Sequence, residues 1–424
     1  MARIILPLLI IIALISCKQK GGSQHESGIE SYKDSLTQKL IEIHKAGHIN
    51  GFSVAIVNQE EVQYQAGIGF SNINSKESYT ENTLQNIGSV SKTFIGIALL
   101  KAQEMGKLKL DDPINTYLPF QVYNPHHPRQ EITLRQLATH TSGILDTDYY
   151  DEKSYILKES IEVPDSIIAM SENFNLPSSA LPLLPFLEKL LSTKGEWYEV
   201  EGFLKNKLGE IYEYTNVGAA LAAAVLEIAT GKSYKAFAKA HILEPLDMSS
   251  SGFSFDDIDM SKHSRLYARP HVELPHYSLI TYPDGGLITS ISDMAKYLQE
   301  LIKAYAGKGT ILQKNSYNEL FKEQLSAEHI PDQDDEGDPY DDEYNTGIFM
   351  GFTPKGFIGH TGGDPGIATF MFFKPESKTG KILMINTSVR GSEGVKQFYD
   401  IWYTLDEYEK KMNQGELGAK NGTN

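Results

Sequence analysis

The segment 87–100, Ile-Gly-Ser-Val-Ser-Lys-Thr-Phe-Ile-Gly-Ile-Ala-Leu-Leu, decides most of what can be expected of this 424-residue chain. After Lys92 the residues are apolar almost all round the helical period, which predicts a helix buried on every side. Ser89 and Lys92 are three residues apart, so their side chains share one face of that helix. Ser89 stands at the expected helix start, where free backbone N–H groups can stabilise an oxyanion.

The Ser89-x-x-Lys92 pair has the composition of an activated nucleophile. A serine hydroxyl is a weak nucleophile and needs an adjacent base, and a lysine amine can serve where burial lowers its pKa. The chain contains this pattern once. A capping serine followed by a lysine one turn later is nevertheless a common helix start. The interpretation therefore depends on partners elsewhere in the sequence.

Two further patterns supply candidate partners. Tyr214-Thr215-Asn216 is the only Tyr-x-Asn of the chain; a phenol can relay a proton and an amide can hold a substrate carbonyl. The segment 359–366, Gly-His-Thr-Gly-Gly-Asp-Pro-Gly, follows a predicted strand, and its glycines permit a close backbone approach to a ligand. Each has a structural alternative when read alone: an ordinary helix start for the first, a turn-rich hairpin for the second.

Three motifs follow one another along the chain: Ser-x-x-Lys on a predicted buried helix, Tyr-x-Asn in the helical middle of the sequence, and His-Thr-Gly on a late predicted strand. In this the chain resembles the superfamily of serine β-lactamases and penicillin-binding proteins. The similarity is to the branch with class C β-lactamases, D,D-carboxypeptidases, D-aminopeptidases and related esterases. The resemblance covers residues 31–405, and it extends to the segments 132–143, 214–218, 229–234, 283–287 and 359–366.

The resemblance implies a serine acyl-transfer site without metal or cofactor. Ser89 would be the nucleophile, Lys92 its base, and Tyr214 the proton relay to the leaving group. Asn216 would position the substrate amide or Lys92. The oxyanion hole would be the backbone N–H groups of Ser89 and Gly363. The segment that would match the Lys-Thr-Gly strand of the family is His360, Thr361 and Gly362.

The sequence departs from the family pattern at His360, because a histidine stands where the β-lactamase strand carries lysine. A permanent cation facing a substrate carboxylate is therefore missing or pH-dependent. This weakens a β-lactam or D-Ala-D-Ala interpretation and favours esters or peptides that lack a free carboxylate. A literal Lys378-Thr379-Gly380 also occurs, but it follows Pro375-Glu-Ser377 where a tight turn is expected, so we do not take it as the catalytic strand.

The distribution of elements predicts an α/β (α+β) fold. A helix over 31–46 and a strand hairpin over 52–64 come first, helices dominate residues 111–284, and strands follow residue 347. A last helix is expected over 394–408, and the domain is expected to end near residue 405, with a polar tail over 406–424 that includes the end of this helix. We therefore expect an antiparallel sheet flanked by helices and built from both chain ends, with an all-helical subdomain inserted over about 111–284.

Charge and cysteine content exclude several classes of protein. The chain has 39 Lys and Arg against 55 Asp and Glu, a net charge of −16, which argues against nucleic acid as a partner. Its one cysteine can form neither an internal disulfide nor a cysteine-based zinc site.

The position of that cysteine indicates export. Residues 1–16 combine Arg3 with an apolar run too short to span a bilayer, as in a signal peptide. Leu14-Ile-Ser-Cys17 resembles a bacterial lipobox, in which the cysteine becomes the lipidated first residue. We expect a flexible tether over 17–30 and a membrane-anchored lipoprotein at the periplasm or cell surface. The alternative is a plain secretory signal with an incidental cysteine.

Three other segments admit two interpretations each. The acidic run 332–343 has calcium-loop spacing but Pro at its eighth position, so a solvated acidic loop is favoured. The segment 176–187 could be a lid over the cleft, although core packing is favoured. His140 is expected to hold a turn by hydrogen bonds, with a catalytic role as the alternative.

These expectations converge on an exported serine hydrolase of the β-lactamase-like type. Its substrate would be a small-molecule or peptide ester or amide, attacked through a covalent acyl-enzyme. The alternative from another class is a penicillin- or peptidoglycan-binding receptor that is acylated without turnover.

Overall fold

The structure is a computed structural model that describes residues 23–163, 173–330, 346–389 and 391–421. The predicted signal peptide, Cys17 and the acidic run 332–343 lie outside these residues. Within them, no helix combines the length and the apolar character needed to cross a bilayer.

The strands and helices are numbered here in chain order. The strands are β1 (Gly51–Asn58), β2 (Val62–Asn72), β3 (Glu77–Ser78), β4 (Gln85–Asn86), β5 (Tyr155–Leu157), β6 (Tyr267–Arg269), β7 (Val272–Glu273), β8 (Tyr277–Leu279), β9 (Ile288–Thr289), β10 (Gly351–Phe352), β11 (Ile358–Asp364), β12 (Ile367–Lys374) and β13 (Thr379–Ile385). The α-helices are α1 (Ser23–His44), α2 (Lys92–Glu104), α3 (Leu134–Ala138), α4 (Asp148–Lys153), α5 (Leu183–Leu191), α6 (Asn216–Thr230), α7 (Tyr234–Ala238), α8 (Tyr282–Gly285), α9 (Ile291–Tyr305), α10 (Lys314–Leu320) and α11 (Gly391–Asn421).

A seven-stranded sheet in the order β10-β11-β12-β13-β1-β2-β3 organises the molecule, and all its pairs are antiparallel. Strand β1 from the start of the chain pairs with β13 from its end, with Phe52 opposite Ile385. The predicted sheet built from both chain ends and flanked by helices is therefore confirmed.

Both faces of the sheet are covered, and the alternation along β1 shows how. Phe52, Val54 and Ile56 pack in one core cluster with residues of α1 and α11, whereas Ala55 and Val57 face the larger core on the other side. A strand buried on both faces has no polar positions to alternate, which is why β1 is an almost unbroken apolar run.

Helix α2 lies inside the larger core, as its sequence predicts. All its residues from Phe94 to Leu100 are buried, including Gly96. The Phe94 ring stacks on Tyr297 with centroids 3.9 Å apart. At Gly96 a Cβ would lie 2.3 Å from the Ile348 carbonyl oxygen, so the helix can approach that segment only with glycine there. Burial on all sides fixes the position of Lys92 at its first turn.

Helices are more extensive than strands in the described part of the inserted region, but the expectation that it is entirely helical was wrong. Strand β5 pairs with β8, and β6 pairs with β7, both antiparallel. The Tyr155 and Tyr277 rings meet edge to face at 5.5 Å, and they pack in a small core of their own. Aromatic and β-branched residues in short runs favour such strands over helix.

The two ends of the domain also differ from the expected boundaries. Helix α1 begins at Ser23, inside the expected tether. A polar composition limits how much of a segment can be buried, but it does not prevent the segment from forming a helix. Helix α11 continues to Asn421, through the expected polar tail. Tyr408 and Met412 extend the apolar stripe of Leu405 at helical spacing and are buried in the α1–α11 core cluster.

The segment 176–187 does not form a lid over its whole length. From Leu183 onward it belongs to α5, whose Phe186 and Leu187 are fully buried in the main core. Packing, the favoured interpretation, is confirmed for this part of the segment.

We expect Met412→Ala to lower the free energy of unfolding by about 2 kcal/mol or more, because it leaves a cavity at a fully buried methionine. Urea denaturation of the variant measures the loss. The exposed neighbour Gln414, changed to Ala, is the control and should leave the midpoint unchanged. Equal stability of all three proteins would show that the end of α11 is not part of the folded core.

Candidate active site

The backbone turns sharply just before α2 to present Ser89. Residues Gly88–Ser91 form a 3₁₀ turn, and Gly88 has φ +56°, a left-handed conformation that glycine adopts without penalty. Ser89 remains partly exposed while Lys92 is fully buried. The predicted pair meets: Lys92 Nζ donates a hydrogen bond to Ser89 Oγ at 3.0 Å.

Lys92 is held by acceptors from three parts of the chain. Besides Ser89 Oγ, its Nζ donates to Asn216 Oδ1 at 2.7 Å and to the Asp284 carbonyl oxygen at 3.0 Å. An ammonium group has three donors, so this set is matched to its capacity. Nζ also lies 5.0 Å from the centre of the Tyr214 ring. The structure thus brings Ser89, Lys92, Tyr214 and Asn216 together.

The His140 ring packs against one face of the Tyr214 ring. The two ring centroids are 4.6 Å apart, and His140 Nδ1 accepts a hydrogen bond from the Thr215 backbone N–H at 3.1 Å. Burial, and then the charge of Lys92, hold the pKa of His140 well below its usual range, so the imidazole is neutral with its proton on Nε2. The hydrogen bond agrees with the structural role expected of His140.

Asp146 binds the start of α6 and is a residue that the motifs did not indicate. Its carboxylate accepts from Thr215 Oγ1 and the Val217 backbone N–H at one oxygen, and from the backbone and side-chain N–H groups of Asn216 at the other. Its place three residues after Gly143, at the end of the segment 132–143, is the one sequence signal that could have drawn attention to it.

Strand β11 passes so close to the start of α2 that only glycines fit between them. A Cβ on Gly362 would lie 2.1 Å from the Ile87 carbonyl oxygen and 3.1 Å from Ser89 N. A Cβ on Gly88 would lie 2.9 Å from Gly363 N. The backbone amides of Ser89 and Gly363, the two predicted oxyanion donors, therefore border the same small region. Thr361 is partly exposed on this strand and Gly363 is exposed.

His360 is buried and cannot supply the missing cation at neutral pH. Burial, and then the charge of Lys92, lower its pKa to about 3, although a hydrogen bond from Nδ1 to the Thr361 carbonyl oxygen opposes the shift. Only 1% of the residue is exposed. Of the two expectations for this position, a missing cation or a pH-dependent one, the structure favours the missing cation.

Two carboxyl groups lie beside the site. Asp364 accepts from the Tyr155 hydroxyl at 2.7 Å, and its other oxygen lies 3.2 Å from where a Cβ on Gly285 would stand. Burial raises the pKa of Asp284 to about 7, opposed by Lys92 and reinforced by Asp364 and Asp146. The site is therefore richer in acids than in cations.

Lys378-Thr379-Gly380 takes no part in this site. Lys378, with φ +55°, lies in the turn between β12 and β13, and Thr379 contacts Glu409 of α11 through its hydroxyl. The expected turn is confirmed up to Lys378, while Thr379 and Gly380 begin β13. Within the described residues, no group of three or more His, Cys, Asp or Glu side chains is arranged to hold a metal ion.

Fold and site together define the class of protein to which this chain is related. The profile of the Beta-lactamase family matches residues 36–406. The chain belongs to the Beta-lactamase family, and the resemblance indicated by its motifs is confirmed.

Particular relatives match this chain over most of its length, one by sequence and two by structure. Protein flp of Staphylococcus aureus strain MW2 is 24% identical over 345 residues, which are 80% of this chain and 60% of flp. This chain thus spans about three fifths of the length of that relative. The structure of the octameric penicillin-binding protein homologue from Pyrococcus abyssi matches with a TM-score of 0.67 at 24% identity, over 89% of this chain and 76% of that one. A penicillin binding protein from Bacillus halodurans matches with a TM-score of 0.60 at 20% identity, over 89% of this chain and 99% of its own.

We expect acid to destabilise the protein partly through His360. The folded imidazole stays neutral down to its pKa of about 3, whereas the unfolded one takes up a proton near pH 6.5. Between these values the unfolded state binds more protons, so stability falls as pH falls, by up to about 2 kcal/mol at pH 5 for one histidine.

Urea denaturation of wild type and His360→Gln at pH 7 and pH 5 measures this contribution. The variant should lose less stability between the two pH values, and the comparison cancels groups common to both proteins, such as Asp284. His126→Gln, at an exposed position, should keep the wild-type loss. An identical loss in wild type and His360→Gln would contradict the buried neutral histidine.

Proposed function

We propose that the protein is a serine hydrolase that cleaves an ester or amide through a covalent acyl-enzyme on Ser89. The observation that carries this proposal is the hydrogen bond between the fully buried Lys92 amine and the partly exposed Ser89 hydroxyl. Membership of the Beta-lactamase family supports the same chemistry. A serine that served only as a helix cap would need no buried amine as its partner.

The proposed acylation step uses groups from four residues of the chain. The Lys92 ammonium first loses one of its three protons to solvent; the neutral amine then takes the Ser89 proton while Oγ forms a bond to the carbonyl carbon. The backbone N–H groups of Ser89 and Gly363 stabilise the oxyanion. The bond to the leaving group then breaks, and the proton passes through the Tyr214 phenol to the departing oxygen or nitrogen.

Deacylation repeats the same proton transfers with water as the nucleophile. Water attacks the acyl-serine ester, the acid is released, and the proton returns to Ser89 Oγ. Asn216 holds Lys92 through its side-chain oxygen at 2.7 Å during both steps. The close approach of Gly88 and Gly362 keeps the two oxyanion donors together.

The charges around Ser89 support a substrate without a free carboxylate. His360 is neutral, and the nearby side chains Asp364 and Asp284 are acids. An anionic group on the substrate would lie beside these acids, and the neutral His360 would offer it no positive charge. We therefore favour small carboxylic esters, or D-amino-acid peptides with a free amine, over β-lactams and D,D-carboxypeptidase substrates.

Activity-based labelling tests the nucleophile. We expect fluorophosphonate or p-nitrophenyl esters to add one adduct to the full chain by intact mass, and Ser89→Ala to abolish it. Lys92→Ala and Tyr214→Phe should slow acylation by about 10²- to 10⁴-fold. Ser91→Ala, at the neighbouring serine, is the matched control and should still be labelled.

The same assay separates an enzyme from a receptor. Continued release of p-nitrophenol after the first equivalent supports the hydrolase, whereas a stoichiometric burst without a steady state, with fluorescent penicillin bound, would favour the receptor. A wild type that no probe labels at Ser89 would overturn the proposal.

We also propose that Cys17 carries a lipid that anchors the protein to a membrane. The support is the lipobox-like Leu14-Ile-Ser-Cys17 after an apolar run with Arg3 in front. Several acyl chains on one cysteine would anchor the protein stably, since each buried CH₂ contributes about 0.8 kcal/mol.

Metabolic labelling with radioactive palmitate tests the anchor. We expect the label to enter the wild type and to be lost in Cys17→Ala, while Ser16→Ala retains it. Failure of palmitate to enter, or label that persists in Cys17→Ala, would refute lipidation at this residue.

A further inference from the structure

The Asp146 carboxylate is bound entirely by the motif that carries Tyr214 and Asn216. One oxygen accepts from Thr215 Oγ1 at 2.8 Å and from Val217 N at 2.9 Å. The other accepts from Asn216 N at 2.9 Å and from Asn216 Nδ2 at 2.8 Å. Four hydrogen bonds occupy the lone-pair positions that a carboxylate offers.

These contacts decide which way the Asn216 amide faces. A carboxylate accepts hydrogen bonds and cannot donate them, so the amide nitrogen must turn towards Asp146. The amide oxygen is then left on the opposite side, where it accepts from Lys92 Nζ at 2.7 Å. A reversed amide would set its NH₂ group against the lysine amine and would remove one of the three acceptors that hold it.

Resting on the function proposed above, we infer that Asp146 is a positioning residue for acylation. It acts through Asn216: its charge fixes the amide, the amide oxygen fixes the Lys92 amine, and the amine stays directed at Ser89 Oγ. Asp146 itself touches neither the nucleophile nor the base in the hydrogen bonds described here.

A second role must be separated from this one, because the same carboxylate also binds the first turn of α6. The backbone N–H groups of Asn216 and Val217 are free donors at a helix start, and an acid there stabilises the helix. A purely capping residue would affect stability, and it would affect acylation equally whether or not Asn216 is present.

A double-mutant cycle on the full chain distinguishes the two roles. Asp146→Asn keeps the size of the side chain but replaces one acceptor by an NH₂ donor, so we expect acylation by a p-nitrophenyl ester to slow by about 10- to 100-fold, with KM little changed. In the Asn216→Ala background the same substitution should cost less than about 3-fold, because its target is gone.

Ser290→Ala is the control for lost helix capping. Ser290 caps α9 by accepting from Asp293 N at 3.2 Å, and α9 supplies none of the groups named at the Ser89 site, so this variant should lower Tm while acylation is unchanged. If Asp146→Asn slows acylation by the same factor with and without Asn216, or does not slow it at all, the positioning role is overturned.

Hydrogen exchange of the Asn216 side-chain amide, followed by NMR, gives a readout independent of activity. We expect slow exchange in the wild type and faster exchange in Asp146→Asn. Fast exchange in the wild type would overturn the positioning role even if Ser89 is acylated normally. A protected amide in a wild type that no ester acylates would overturn the hydrolase proposal and with it the catalytic role of Asp146.

Discussion

The burial of Lys92 is the constraint on which the rest of the site depends. An amine removed from water must find acceptors for its protons, and here a hydroxyl, an amide oxygen and a backbone carbonyl supply them. These acceptors come from three distant parts of the chain. The requirement to satisfy one buried side chain therefore draws the α2 turn, the start of α6 and the α8 segment to a common point.

The surrounding helices and strands fix the position of Lys92 and its three acceptors. Helix α2 is enclosed on all sides, so it cannot turn to release Lys92 towards solvent. The glycine contact between β11 and the α2 turn fixes the sheet edge relative to Ser89 at backbone distance. His140 supplies a flat neutral surface for Tyr214, and a charged imidazole there would repel the amine. Asp284 and Asp364 lie beside this site, and the neutral His360 adds no positive charge.

The parts that the sequence could predict are those with a local or periodic signal. The all-round apolar run after Lys92 indicates a buried helix, and i, i+3 spacing brings Ser89 to Lys92. The glycines of 359–366 mark the strand that approaches them. The order of these motifs was sufficient to indicate the family, and the distribution of helix and strand patterns along the chain indicated the sheet built from both chain ends.

The parts that could not be predicted depend on contacts across long distances. Asp146 bears no motif of its own, and its role becomes visible only when its carboxylate meets the start of α6. Nothing in its neighbours reveals that Asp284 is buried beside Lys92, because burial of an acid is a property of the assembled fold. The helical ends at Ser23 and Asn421 were missed for another reason: polar helices lack the apolar stripe by which helices are recognised.

The central position of β1 has a consequence for how the chain reaches this structure. Gly51 N donates to Asn386 Oδ1, a partner 335 residues later, and the same strand is bordered on its other side by β2. During synthesis the hairpin of β1 and β2 is finished early, yet its open edge stays uncovered until β13 has left the ribosome. Strand pairing between residues so far apart in sequence is slow, and until it is complete the unpaired edge of β1 is open to aggregation. Newly made chains should therefore depend on chaperones until the last strand arrives.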